Sequence, residues 1–181
     1  MEANWAASLG FVWRPENDGQ GFHRDEHDSG GDTNWGVTAA TCASAQAHGY
    51  APEGVELAEA TQLQLAGVLH DGFWNVVAGY RLPSGLDLVV FDLAMLSGPW
   101  RAAKLLQTAI GFTGRNVDGA IGPVTLGAID RTSAVPLISM LTADAEDFFG
   151  GLATWGYFGR GWTRRAEDAR KAGLMLAGGD G

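Results

Sequence analysis

Residues 16–38 read ENDGQGFHRDEHDSGGDTNWGVT, and the rest of the chain is organised around them. Six of the 21 acidic side chains stand here, Glu16, Asp18, Asp25, Glu26, Asp28 and Asp32, set among Gly19, Gly21, Gly30, Gly31 and Gly36. Glycine is costly inside a helix and cheap where the backbone turns back on itself, so the stretch predicts a loop that holds its carboxylates in place. On its N-terminal side Trp5, Leu9, Val12 and Trp13 recur at helical spacing, and Pro15 disfavours helical geometry at Arg14. Glu16 therefore stands directly after a helix. A carboxylate past an apolar helix end, with others a few residues on, suits glycoside hydrolysis. That chemistry needs one acid kept protonated and a second group to manage water or the sugar cation.

Outward from the loop the pattern is helical. Thr33 or Asn34 is expected to cap a helix running from about Trp35 through Ala47 and stopped by Gly49. Leu57, Leu65, Val68, Leu69, Phe73 and Val77 mark the buried stripe of a helical stretch from roughly Glu53 to Tyr80, interrupted at Asp71 and Gly72. Two buried helices are expected over Gly85–Leu96 and Pro99–Ile110, the second with proline in its first turn, where a missing N–H costs nothing. Asp118 and Gly119 read as a turn, Pro123 opens a short helix, and residues 135–153 and 160–177 read as the last two. No window alternates like a strand. The expected fold is mainly α, with at most a short β-hairpin in the acidic loop.

Composition narrows the function. A chain of 181 residues that is 46% hydrophobic can bury one good core. A net charge of −9 and a pI near 4.7 argue against nucleic acid and against anionic membrane surfaces as partners. Cys42 is the single cysteine, so neither a disulfide framework nor a cysteine zinc site is expected. The opening MEANWAASLGFVWRPE lacks a basic n-region and does not read as a signal peptide. Leu82–Trp100, the most apolar long stretch, carries Asp87 and Asp92 and does not read as a membrane span. The expectation is a chain made in the cytoplasm, without a cofactor or membrane insertion; the oligomeric state stays open.

Several residues are candidates for chemistry. Glu16, flanked by Phe11, Val12 and Trp13, is placed for partial desolvation, which raises a carboxyl pKa and keeps a proton available. Asp28, in a wetter glycine-rich run, is expected to stay ionised, and Thr33 to hold the water it orients. The plainer readings are a Glu16–Arg14 surface pair and an Asp28 turn. His23, Asp25, Glu26, His27 and Asp28 also supply metal-type ligands, but their spacing matches no named zinc pattern, and solvated side chains are the alternative. Phe73, Phe91, Phe148 and Trp162 are expected in the core. Trp35, Trp74 and Tyr80 are the candidates for lining a glycan groove, and Asn34 for donating to a substrate acetamido group, although capping suits it better. Asp92 is expected to be partly buried and paired with Arg101 or Lys104.

Five runs carry a resemblance: DSGGDTNWGVT at 28–38, DGFWNVVAGYRLP at 71–83, FDLAMLSGPWRAAKLLQTAIG at 91–111, VDGAIGPVT at 117–125 and FGRGWTRRAEDAR at 158–170. In this order they resemble the glycoside hydrolase family 108 endolysins, phage and prophage N-acetylmuramidases. The resemblance implies a lysozyme-like catalytic region at 1–98 and a helical peptidoglycan-binding region at 99–181, packed as one compact unit. It also implies cleavage of the β-1,4 bond between N-acetylmuramic acid and N-acetylglucosamine in peptidoglycan strands. Matched to the family's active segment, Asp28 is the Asp, Gly30 and Gly31 the glycine pair, Thr33 the Thr and Phe22 the aromatic. The family's usual spacing for its Glu lands on Gly19. A three-residue insertion moves the acid to Glu16, the general acid. A lytic transglycosylase and a non-catalytic peptidoglycan-binding protein are the alternatives. Action at the wall after release by a holin or a secretion system follows from the same resemblance.

The acidic balance has a measurable consequence. Bacterial surfaces are anionic, and a chain at −9 is repelled by them. Turbidity loss of purified walls is expected to hold or quicken as salt rises toward about 0.15 M, where the screening length is about 8 Å. A steep fall with salt would mean that the basic run Arg160, Arg164, Arg165 and Arg170 governs docking.

Overall fold

The computed structural model describes residues 2–14, 17, 19–24, 31–51 and 54–178, the first two through their backbone only. The helices in it are α1 (Glu2–Val12), α2 (Ala39–Ala47), α3 (Gln62–Leu69), α4 (Leu86–Ser97), α5 (Pro99–Ala109), α6 (Pro123–Ile129), α7 (Ala134–Gly150) and α8 (Trp155–Gly178). Three short strands, β1 (His23–Arg24), β2 (Asp32–Asn34) and β3 (Val37–Thr38), pair antiparallel in that order. The mainly helical expectation holds, with one strand more than a hairpin.

Helix α4, LDLVVFDLAMLS, is apolar on every side apart from two aspartates, and every residue from Leu86 to Ala94 is buried. Such a helix needs cover all round. It packs on α1, α5, α7 and α8. Against α1, the rings of Trp5, Trp74 and Phe91 meet with centroids 5.4–5.7 Å apart, in the tilted and edge-on arrangements that aromatic quadrupoles favour. Against α8, the small residues Ala166, Ala169 and Gly173 form a buried stripe that lets the backbones close in. At that crossing a Cβ on Gly173 would sit 2.8 Å from both the Gly85 carbonyl and Val89. Gly85 itself has φ 84° and ends the turn into α4.

Each aspartate of α4 has partners. Asp87 Oδ1 accepts the backbone N–H of Gly85 and Leu88 at 2.9 and 2.8 Å, and Oδ2 accepts Asn4 Nδ2 at 2.7 Å. Burial nonetheless pushes its carboxyl above the usual range, the hydrogen bonds opposing that shift. Asp92 accepts from Arg165 Nε at 2.8 Å across 73 residues of chain. The expected partners, Arg101 and Lys104, instead lie over rings, Arg101 at 4.7 Å from Phe148 and Lys104 at 3.8 Å from Trp100. This corrects the sequence expectation, and it also thins the C-terminal basic run. Arg165 is buried and Arg170 binds Glu167 at 2.8 Å.

Local signals explain the remaining boundaries. Helix α2 begins at Ala39 rather than Trp35, because Trp35 and Gly36 form the hairpin turn and Thr38 caps the helix by accepting the Thr41 N–H. The long helix expected from Glu53 starts only at Gln62, behind a capping box in which Thr61 and Gln64 bond reciprocally. It ends in a single π turn, His70–Trp74, followed by a tight turn at Gly79–Arg81. Further on, Gln107 knits the turn after α5. Its amide donates to Asp118 Oδ1 at 2.7 Å and its oxygen accepts the Gly119 N–H at 2.9 Å, while the Trp100 ring lies where a Gly119 Cβ would be.

The Asp92–Arg165 pair is side-chain buried to 1% and 7% exposure, so removing one partner strands the other charge in the core. Asp92→Ala is expected to cost about 3–5 kcal/mol. Thermal unfolding followed by circular dichroism should fall by roughly 6–20 °C for a chain of this size. A shift of less than about 2 °C would show the pair to be dispensable.

Candidate functional site

The end of α1 is tied down by short-range bonds. Arg14 N–H donates to Phe11 O at 3.2 Å, and the N–H groups of Asn17 and Gly19 both donate to Arg14 O, at 2.9 and 3.0 Å. Asn17 Nδ2 adds a bond to Phe11 O at 2.9 Å and so satisfies one of the carbonyls a helix end leaves over. A Cβ on Gly19 would lie 2.1 Å from Trp13 O, so only glycine lets the chain fold back this closely. Arg14 stacks its guanidinium 4.7 Å from the Phe11 ring centroid.

The strands carry the second half of the segment. His23 faces Thr33 and Arg24 faces Asp32 across β1 and β2. Arg24 and Asp32 form an exposed two-point ion pair, the second bond Nη2 to Oδ2 at 2.7 Å, which holds the Asp32 carboxyl below its ordinary range. Strands β2 and β3 are joined by the two-residue turn Trp35–Gly36, between the paired residues Asn34 and Val37. Such a turn wants positive φ at both central residues, and Trp35 has 49° and Gly36 has 79°. For a bulky L residue the left-handed region costs about 1–2 kcal/mol, so the surroundings must impose it. They do so at three points. Trp35 N–H donates to Gln20 O at 3.0 Å, Trp35 O accepts Trp13 Nε1 at 3.1 Å, and the two rings meet edge-on with centroids 5.8 Å apart.

Two tryptophans thus clamp the end of α1 to the hairpin tip. The sequence segments that hold Glu16 and Asp28 run between these joined elements. Glu16 and Asp28 themselves lie outside the described residues, as do Gly30 and the metal candidates Asp25, Glu26 and His27. His23 is described, with Nδ1 2.9 Å from Gly21 O.

The other sequence candidates separate. Thr33 is buried in β2, its hydroxyl donating to Gly31 O at 3.2 Å. Asn34 does not cap a helix; it is turned inward. It is 3% exposed, and its Nδ2 donates to Leu57 O at 2.7 Å and Ala60 O at 3.2 Å, fastening the hairpin to the turn before α3. Trp74 does not line a groove either. The π turn rotates it into the core at 2% exposure, against Trp5 and Phe91. Trp35 is half-buried at the hairpin tip, while Tyr80 and Phe22 are about half exposed. Trp13 was missed as a site residue. Its place two positions before Pro15 and three before Glu16 was the available signal.

Comparison with known proteins adds an independent line. The family model described as Glycosyl hydrolase 108 matches residues 15–98, the segment that holds the acidic loop and the hairpin. The solved structure of Brucella abortus SagA is 32% identical to this chain, covering 98% of it and 97% of SagA, with a TM-score of 0.84. No curated protein matches.

Removing the Asn34 amide would take the donor from Ala60 O, leave Leu57 O with only the Ala60 N–H at 3.3 Å, and unfasten the hairpin. Asn34→Ala is expected to cost about 1–3 kcal/mol. Hydrogen exchange should show lost protection at Thr33, Val37 and Thr38 before α4 is affected. Unchanged protection there would mean that the Trp13–Trp35 clamp holds the hairpin alone.

Proposed function

Because the chain belongs to the glycosyl hydrolase 108 family, we propose that it is a peptidoglycan hydrolase of the muramidase type, cutting the β-1,4 bond between N-acetylmuramic acid and N-acetylglucosamine. The observation that carries this reading is where the family match falls. Residues 15–98 contain Glu16, Asp28 and Thr33, and the described residues around them form a clamped helix end and hairpin.

In this reading Glu16 protonates the leaving glycosidic oxygen. The role asks for a neutral, proton-bearing acid, and the helix end that precedes Glu16 in the chain is apolar, Phe11 and Val12 being 2% and 0% exposed. Asp28 stays ionised and either orients the attacking water or stabilises positive charge on the sugar. Thr33, already donating to Gly31 O, keeps lone pairs that can accept from that water. Trp35 and Tyr80 offer partly exposed ring faces for the glycan, whose C–H faces pack on aromatic carbon.

Glu16→Gln tests the assignment, because the amide keeps the shape and cannot supply the proton. Lysis of purified walls is expected to fall on the order of a hundred- to ten-thousand-fold with the melting temperature unchanged. A variant that keeps more than about a tenth of wild-type activity would move the acid elsewhere. Mass spectrometry of the muropeptides released by the wild type checks the reaction itself. Reducing-end N-acetylmuramic acid is expected, 1,6-anhydro ends would mean a transglycosylase, and no release would mean a binding protein.

A further inference from the structure

Between α2 and the π turn lies an open cavity of about 430 Å³, lined among others by Thr41, Ser44, His48, Tyr50, Gly72 and Phe73. Its size is in the range of small-ligand sites. The end of α2 builds one wall. Gly49, at φ 76°, turns the chain back so that the Tyr50 N–H reaches Ala45 O at 2.8 Å and the Gly49 N–H reaches Gln46 O at 3.1 Å, closing the helix in the 6→1, 5→2 pattern. This reversal stacks Tyr50 on His48, centroids 5.9 Å apart and planes within 20°, and leaves Tyr50 42% exposed at the rim. The π turn builds the opposite wall. Its extra residue sends Trp74 into the core and leaves Phe73 partly exposed on the cavity beside the bare backbone of Gly72. Turns of this kind recur at functional sites.

The lining has a definite chemistry. It combines aromatic faces with the Thr41 and Ser44 hydroxyls, and among the described residues it contains no Asp, Glu, Lys or Arg. Among these residues a cationic ligand would find no counter-charge and an anionic one only the His48 imidazole, whereas an uncharged ring with apolar faces and hydroxyl edges would find both of its complements. One lining residue also touches the hairpin. Thr41 Oγ1 lies 3.0 Å from Thr38 Oγ1, and Thr38 faces Thr33 across the sheet. Two such steps, one across paired strands and one along a helical turn, span about 10 Å.

We propose that this cavity is a sugar subsite, seating one N-acetylhexosamine ring on the Tyr50–His48 stack while an adjoining part of the same strand reaches the hairpin. The inference rests on the peptidoglycan reading for its ligand, and a binding measurement separates the two.

The test is titration of the ¹⁵N-labelled full chain with a soluble N-acetylglucosamine tetramer, with Tyr50→Ala and Tyr50→Phe in parallel and wall lysis assayed on the same samples. Amide shifts are expected at Thr41, Ser44, Tyr50 and Gly72. Affinity should drop roughly two- to tenfold in Tyr50→Ala and be restored in Tyr50→Phe, because the ring and not its hydroxyl makes the contact. Tyr50 is exposed, so neither variant should alter the melting temperature. An absence of shifts in the cavity, or wild-type affinity in Tyr50→Ala, overturns the subsite even if lysis is intact. Cavity shifts in a chain that releases no muropeptides support the subsite and overturn the hydrolase reading instead.

Discussion

Enclosure of α4 is the constraint on which the other elements depend. A helix that is apolar all round and carries Asp87 and Asp92 is stable only when other helices cover it and each carboxylate brought inside meets a partner. Asn4 from α1 and Arg165 from α8 bring that chemistry to it from opposite ends of the chain. The glycine contact between Gly85 and Gly173 lets α8 approach closely enough for Arg165 to reach in. Residues far apart in the chain therefore belong to one core cluster, which runs from Phe11 to Ala169.

The candidate site is supported from this core at one remove. Helix α1 packs on α4, and the end of α1 carries Trp13, whose indole reaches the hairpin. Asn34 then ties the hairpin to the turn before α3. Within the hairpin the backbone cost falls on Trp35, in the left-handed region where asparagine or glycine is usual. Strain of that sort persists only where the surroundings over-determine it, and it collects at functional positions. Trp35 lies within residues 15–98, the part of the chain that the family model matches.

A second theme is how helix ends shape surfaces. At α2 a glycine reversal delivers Tyr50 onto His48, and at α3 a π turn divides Phe73 from Trp74, one toward a cavity and one into the core. Each changes which side chain a neighbouring surface presents, and that difference separates a packing aromatic from one a sugar can touch.

The sequence by itself determined the elements whose signals are local. Periodic apolar residues located α1, α4, α5, α7 and α8 to within a few residues at most ends, Pro99 marked the start of α5, and the glycine-rich acidic run marked the loop. The Thr61–Gln64 capping box was legible too and went unread, which is why the third helix was expected about nine residues early. Family membership was legible because five separated runs kept their order. The tertiary structure decided what depends on partners distant in the chain. Arg165 rather than Arg101 met Asp92, Asn34 turned inward to the Leu57 and Ala60 carbonyls, and Trp74 went to the core while Tyr80 stayed exposed. Spacing along a chain fixes which residues share a helix face, but it says nothing of which other segment will cover that face. For a buried polar group, the covering segment is what supplies the partner.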